Sequence, residues 1–316
     1  MRNRIIAALT AVSLLAQVSS GAEEPKPYRV GYNNWIGFIS FFIAQERGDF
    51  KKAGLNVVGS SFDAPGAGLV PLLSGSLDAH LTTLDAVIMA ADKAPGQLKI
   101  VGLVDTSKGA DAVIGSAKLK STADLKGKKI GVTLGECGHI LLSKALASAG
   151  LKETDATLVN MSPDAAGTAL KAGQIDAAVT WEPWITQLIG DGGHAIYTTE
   201  KTPNLLLDCV AVTAAGAKSK AAETKTFLAV MDEVTKFVLA EPAKAAVIAA
   251  PLFELPAAEI EGMLKKLTLY DSAAAKQQMA GPVSEAGVEI AEFFKAQKIV
   301  QSPADVKSLI DTSLLP

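Results

Sequence analysis

The sequence has little arginine, few cysteines and histidines, and no apolar run of the roughly 20 residues that a membrane-spanning helix needs. Beyond residue 22 the arginines are Arg29 and Arg47. One falls in an expected strand and the other in an expected helix, so neither is set as a bidentate clamp on a sulfonate. Cys137 and Cys209 are too few for a disulfide framework or a thiolate zinc site. They either bridge in an oxidising compartment or stay as two buried thiols. His80, His139 and His194 stand apart, with no metal-ligand spacing around them, and no metal or other cofactor is expected. Basic residues are nowhere clustered, which argues against nucleic acid as a partner. A nucleophile elbow and a phosphate-binding loop are also missing, so the chain is not expected to be an enzyme.

What is present begins with an export signature. Arg2 and Arg4 precede an apolar run over 5–18, small residues follow at Ser20, Gly21 and Ala22, and then come Glu23 and Glu24. This is the pattern of a cleaved signal peptide, and the run is too short to anchor the chain across a bilayer. No cysteine sits at the cleavage position, so no lipid anchor is expected and the mature protein is expected in the periplasm. Removing the first 22 of 316 residues leaves 294, and losing two arginines takes the net charge from −3 to −5. That length accommodates two lobes of about 100–200 residues each.

Along the chain, strand and helix patterns alternate. Strands are expected at 28–32, 55–60, 77–81 and 99–104, with helices at 38–52, 66–74 and 85–93 between them. A second series starts near Ala112, with strands at 129–132, 157–160, 177–180 and 196–198 and helices at 139–149, 163–171 and 183–190. An apolar run at 210–213 can cross back. From Ala221 the pattern is helical, broken at Pro242, Pro251 and Pro256, with no strand signal of comparable strength. The expected fold class is therefore α/β, with a mostly parallel sheet flanked by helices in each of two lobes. The expected organisation is 1–22 signal peptide, 23–111 first lobe, 112–209 second lobe, and 210–316 return to the first lobe with C-terminal helices. Two crossing segments would form the hinge.

Four stretches carry a family resemblance. Gly31-Tyr32-Asn33-Asn34-Trp35-Ile36-Gly37-Phe38 is followed by Ile43-Ala44-Gln45-Glu46-Arg47-Gly48-Asp49-Phe50. Leu72-Leu73-Ser74-Gly75-Ser76-Leu77-Asp78-Ala79 precedes Thr82-Thr83. Ser121 to Val132 (STADLKGKKIGV) and Ala169 to Pro183 (ALKAGQIDAAVTWEP) complete the set. In this order, behind a leader, they resemble the nitrate/sulfonate/taurine class of ABC-transporter substrate-binding proteins. The resemblance implies a two-lobed periplasmic-binding-protein fold of type II. It also implies a small-molecule ligand in the interlobe cleft, and as partners a membrane permease with its ATPase. A monomer is expected. The strand and helix order also resembles pyrimidine-precursor synthases of thiamin biosynthesis, but their cysteine-rich iron motif is missing here.

Ligands of open α/β sheets bind past the carboxyl ends of the strands. The candidates there are Asn34, Trp35 and Phe38, then Thr82 and Thr83, Asp105, Glu136 and His139, Trp181 and Glu182, and Asp208. Each has a plainer reading. Trp35 and Trp181 can be core aromatics, His139 a helix cap, Glu182 a helix N-terminal charge, Asp105 a turn residue, and the two threonines ordinary caps. The loops carry Asp105, Asp111, Glu136, Glu182 and Asp208 with Lys108 as the lone cation. Carboxylates beside indole rings suit a cationic or zwitterionic guest sandwiched by Trp35 and Trp181. An anion such as nitrate, taurine or an alkanesulfonate, held on helix N-termini, is the alternative. A pyrimidine precursor is a further one.

Overall fold

The computed structural model describes residues 26–302 and 305–316, and the expected leader at 1–22 lies outside them. The chain begins with β1 (Tyr28–Asn33), β2 (Val57–Phe62), β3 (Ala79–Thr83) and β4 (Leu98–Ser107). It crosses to β5 (Asp111–Gly115), β6 (Lys129–Val132), β7 (Thr157–Asn160), β8 (Ala177–Trp181) and β9 (His194–Thr198). It then returns through β10 (Leu207–Thr213) and ends among helices, with β11 (Leu267–Leu269) between them. The first sheet has the order β11-β4-β10-β3-β1-β2 and the second β7-β6-β8-β5-β9.

Each strand that follows a crossing inserts into the middle of its sheet. β10 runs antiparallel between β3 and β4, and β5 runs antiparallel between β8 and β9. Of the remaining pairs, β1–β2, β1–β3, β6–β7 and β6–β8 are parallel and β4–β11 is antiparallel. Central strands are buried on both faces, so their sequences read as nearly continuous apolar runs. Side chains alternate between the faces of a strand, and two register shifts between β4 and β10 reset that alternation within β4. Val101, Val104, Val210 and Val212 thus pack with the helices Ile39–Glu46 and Ala221–Ala240. Ile100, Leu103, Cys209 and Ala211 pack on the other side with Leu84–Lys93 and Pro282–Ala296. In the second sheet Val113, Ala177 and Val179 face the helix Cys137–Ser148, while Ala112, Ile114 and Ala178 face Pro163–Lys171 and Trp184–Gly190.

Two segments join the lobes, 108–110 and 199–206, and they are bonded to each other. Ser107 and Thr199 hydroxyls meet at 2.8 Å, Gly109 N donates to Thr199 Oγ1 at 2.7 Å, and Thr106 Oγ1 donates to the Leu206 carbonyl at 2.8 Å. The lobe boundaries expected at 111/112 and 209/210 fall inside β5 and β10, because the apolar residues that mark these strands begin after polar ones already in the ladder. Strand β11 is a correction to the all-helical reading of the C-terminal part. Three residues are too few to show a period, and its pairing with β4 alone defines it. The helix expected over 38–52 is interrupted at Gly48, whose φ of 68° suits glycine.

Cys137 and Cys209 are both buried and unbridged. The expected outcome of thiol titration with an aromatic disulfide is negligible reaction in the folded protein and two equivalents after urea unfolding. Prompt reaction of either thiol without denaturant would contradict this packing.

Candidate functional site

The ends of β1, β3, β4 and β8, and the starts of β5 and β10, lie at one edge of each sheet, and these edges face each other across the hinge. The β4–β10 register sets Asp105 opposite Asp208, and the β3–β10 register sets Thr83 opposite Asp208. Asp111 pairs with Trp181 at the corresponding edge of the second sheet. Glu136 ends the loop after β6 and accepts a hydrogen bond at 3.3 Å from Gly66 N of the first lobe. The Pro65–Gly66 turn is itself held by β3, since Thr82 Oγ1 and His80 Nε2 both bond the Pro65 carbonyl.

The result is a cluster of five carboxyl groups out of water: Asp85, Asp105, Asp111, Glu136 and Asp208. Burial disfavours the charged form of an acid. It pushes Asp85 up to about 6, and Asp111 and Glu136 to about 7, with neighbouring carboxylates adding to the shift of the latter two. Asp105 and Asp208 hydrogen-bond each other, and both are raised by burial, so the pair retains a proton that an exposed pair would lose. Among the described residues no lysine or arginine forms an ion pair with any of the five.

Two indoles bound this cluster. Trp35 Nε1 donates to both Asp105 oxygens at 3.3 Å, and the Trp35 and Trp181 rings meet edge to face at 6.2 Å. Gly37 makes this possible, because a Cβ there would lie 2.1 Å from Asp105 Oδ2 and 2.3 Å from Trp35 Nε1. The sequence reading sets a guest between these rings, and in this structure the rings meet each other directly. Beside Trp181, a cavity of about 10 Å³ is lined by Asp111, Glu136, Cys137 and Thr180, room for about one water. Two buried acceptors at these strand ends have no hydrogen-bond partner: Asn33 Oδ1 and Asp85 Oδ2. Orphaned groups of this kind cost about 1–3 kcal/mol each, so their coincidence at one edge needs a reason.

The other candidates divide. Asn34 is exposed, and its neighbour Asn33 points inward, because alternation along β1 fixes which of the two is buried. Phe38 is fully buried in the apolar core. Thr82 is occupied with Pro65. His139 Nδ1 accepts from Gly135 N at 3.1 Å, its Nε2 lies 3.2 Å from Glu153, and its ring meets Phe293 edge-on. Glu182 is fully buried and occupied, accepting from Thr186 N and Oγ1 at 3.0 Å and paired with Lys266 of the first lobe. Asp105, Asp111 and Asp208 lie in strands and not in the loops expected for them. Lys108 is exposed, and Lys266 is the cation that enters the interlobe region. Sequence reasoning missed Asn33 and Asp85. Asp85 follows Thr83 by two residues at a helix start, which reads as an ordinary first-turn acid.

Two α/β lobes, a two-segment hinge and polar strand ends meeting across it define the class of two-lobed solute-binding proteins. Residues 21–252 match the profile of the NMT1-like family, and the chain belongs to that family. A candidate binding protein of Brucella abortus is 30% identical over 291 residues, 89% of each chain. The taurine-binding periplasmic protein of Escherichia coli is 25% identical over 283 residues, 86% of this chain and 87% of that one. The alkanesulfonate-binding protein SsuA of Xanthomonas axonopodis pv. citri, bound to MOPS, superposes with a TM-score of 0.77 at 24% identity, covering 92% of this chain and 99% of that one. The protein is thus a solute-binding protein of the nitrate/sulfonate/taurine ABC-importer family. No helix among the described residues is long and apolar enough to cross a membrane.

The raised carboxyls fix a pH dependence. Below about pH 4 these acids are protonated in folded and unfolded chains alike, so their burial carries no charge penalty. Between about 4 and 7 the unfolded chain releases protons that the folded chain keeps, so stability falls as pH rises, and the penalty is complete above about 7. Asp78 and Asp232 are held below the usual carboxylate range by Arg29 with Lys220 and by Lys236, and their stabilisation is lost only on the acid side. Thermal melts of the unliganded protein are expected to give a Tm higher at pH 5 than at pH 8 by about 5 °C or more. Asp111→Asn should shrink that difference, whereas a Tm that rises steadily toward pH 8 would contradict the cluster.

Proposed function

We propose that the protein is exported to the periplasm behind a cleaved leader and serves an ABC permease as its capture component. Its guest carries a protonated amine, guanidinium or heterocycle. The observation that carries this reading is the cluster of five buried carboxyl groups, with no cation among the described residues ion-paired to them, bounded by Trp35 and Trp181. A cationic guest would supply the missing countercharge, and its approach to an indole face adds about 0.5–2 kcal/mol per ring. Its N–H groups would also find Asn33 Oδ1 and Asp85 Oδ2 as acceptors. Opening about 108–110 and 199–206 would admit it, and the extra contacts of the closed form would favour closure.

A zwitterion is the second reading, favoured by the relatives. Taurine and MOPS each join an amine to a sulfonate. An enzymatic role is disfavoured by the chemistry of the two thiols. Burial and the surrounding carboxylates push Cys137 and Cys209 well up, away from the thiolate that a nucleophile requires.

The test is a thermal-shift screen followed by calorimetry with amines, guanidines, pyrimidines, taurine, alkanesulfonates and nitrate. Amine-bearing compounds are expected to raise Tm in proportion to their occupancy. Trp181→Ala is expected to weaken the best ligand about 3- to 30-fold while the fold survives. Tight nitrate or alkanesulfonate binding, with no response from any amine, would sink the reading.

A further inference from the structure

Two helices start at the interlobe space without a side-chain cap: Leu84–Lys93 from the first lobe and Cys137–Ser148 from the second. Their free N–H groups and aligned dipoles favour negative charge. In this chain the negative group there is its own. Asp85, in the first turn of Leu84–Lys93 and 2% exposed, is hydrogen-bonded by the Thr83 hydroxyl, by backbone N–H groups at the start of its own helix and by Cys137, the first residue of the other. Asp85 Oδ2 is buried without a partner, as is Asn33 Oδ1 at the end of β1. One side chain thus takes up donors from both lobes and still presents an unpaired acceptor.

We propose that Asp85 is a built-in anion that occupies the oxyanion position between the two helix N-termini, and so sets the cleft's preference for a cationic group over a sulfonate or nitrate. The proposal rests on the reading of the guest as a cation and names the residue that enforces it. A free oxyanion would find the helix donors taken. It would also lie near Glu136, Asp111 and Asp208, on each of which the charge of Asp85 acts. Specificity arises here from an element that repels the wrong guest as much as from one that attracts the right one. With Asp85 uncharged, the same two helix ends would be open to an anion.

Asp85→Asn keeps the shape and removes the charge, and Asp85→Ala also empties the position. Both variants and the wild-type protein are titrated calorimetrically with methanesulfonate and with the amine panel, after thermal melts establish that each is folded. Methanesulfonate affinity is expected to rise about tenfold or more in the variants, and amine affinity to fall by a similar factor. If Asp85→Ala fails to fold, the near-isosteric Asp85→Asn decides. Unchanged methanesulfonate affinity in a folded variant, or wild-type protein that already binds methanesulfonate tightly, overturns the proposal. Wild-type silence toward every amine would instead retire the cation reading, and the methanesulfonate arm is read independently of it.

Discussion

Five acidic side chains are held out of water where the two lobes meet, and among the described residues no cation is ion-paired with them. Burying a carboxylate without a partner is among the costlier arrangements a fold can hold, and the usual relief is to keep the proton. Here the relief is distributed. Asp105 and Asp208 share a hydrogen bond, Trp35 donates to Asp105, and Asp85 accepts backbone N–H groups from both lobes. The cluster is held by three adjacent strands of one sheet and the facing edge of the other, so it does not relax without opening the lobes. On the proposed function, a guest's charge would offset this electrostatic cost and so shift the balance of open and closed lobes.

The topology explains why the cluster lies there. Inserting β10 between β3 and β4 brings Asp208 beside Asp105 and Thr83, residues far apart in sequence. Inserting β5 between β8 and β9 brings Asp111 beside Trp181. The antiparallel insertions turn the starts of β5 and β10 toward the same edge as the ends of the parallel strands. Ties across the interface include aromatic contacts, Trp35 with Trp181 and His139 with Phe293, and several polar ones. Lys266 pairs with Glu182, and Gly66 N reaches Glu136. Contacts of this kind exchange readily with water, unlike the apolar cores on either face of each sheet.

Much of this was legible in the sequence. Alternating apolar runs and glycine stops located the strands of the first two series other than β5, which reads as a crossing segment, because half-buried and buried strands leave a period that composition cannot hide. Trp35, Thr83, Asp105, Glu136, Trp181 and Asp208 stand at strand ends and do converge at the interlobe edge. What remained hidden depended on contacts far along the chain. Glu182 reads as a cleft acid until Lys266 is found beside it. Asn34 and Asn33 are indistinguishable until the pleat of β1 says which faces inward. Asp85 resembles any first-turn acid, and only the second lobe's Cys137 N–H shows that it belongs to the interface. β11 has no pattern of its own, being defined by β4. The two tryptophans were identified correctly as facing residues, but their direct contact could not be foreseen without the degree of closure.

The most direct measurement of the central claim is the proton balance of binding. The best ligand is titrated calorimetrically near pH 6.5 in several buffers of different ionisation enthalpy, and the slope of heat against that enthalpy counts the protons exchanged. A guest that replaces protons on the buried carboxyls should release about one of them, and fewer as the pH is raised above the cluster's range. Binding with no proton release, or with proton uptake, would contradict the account.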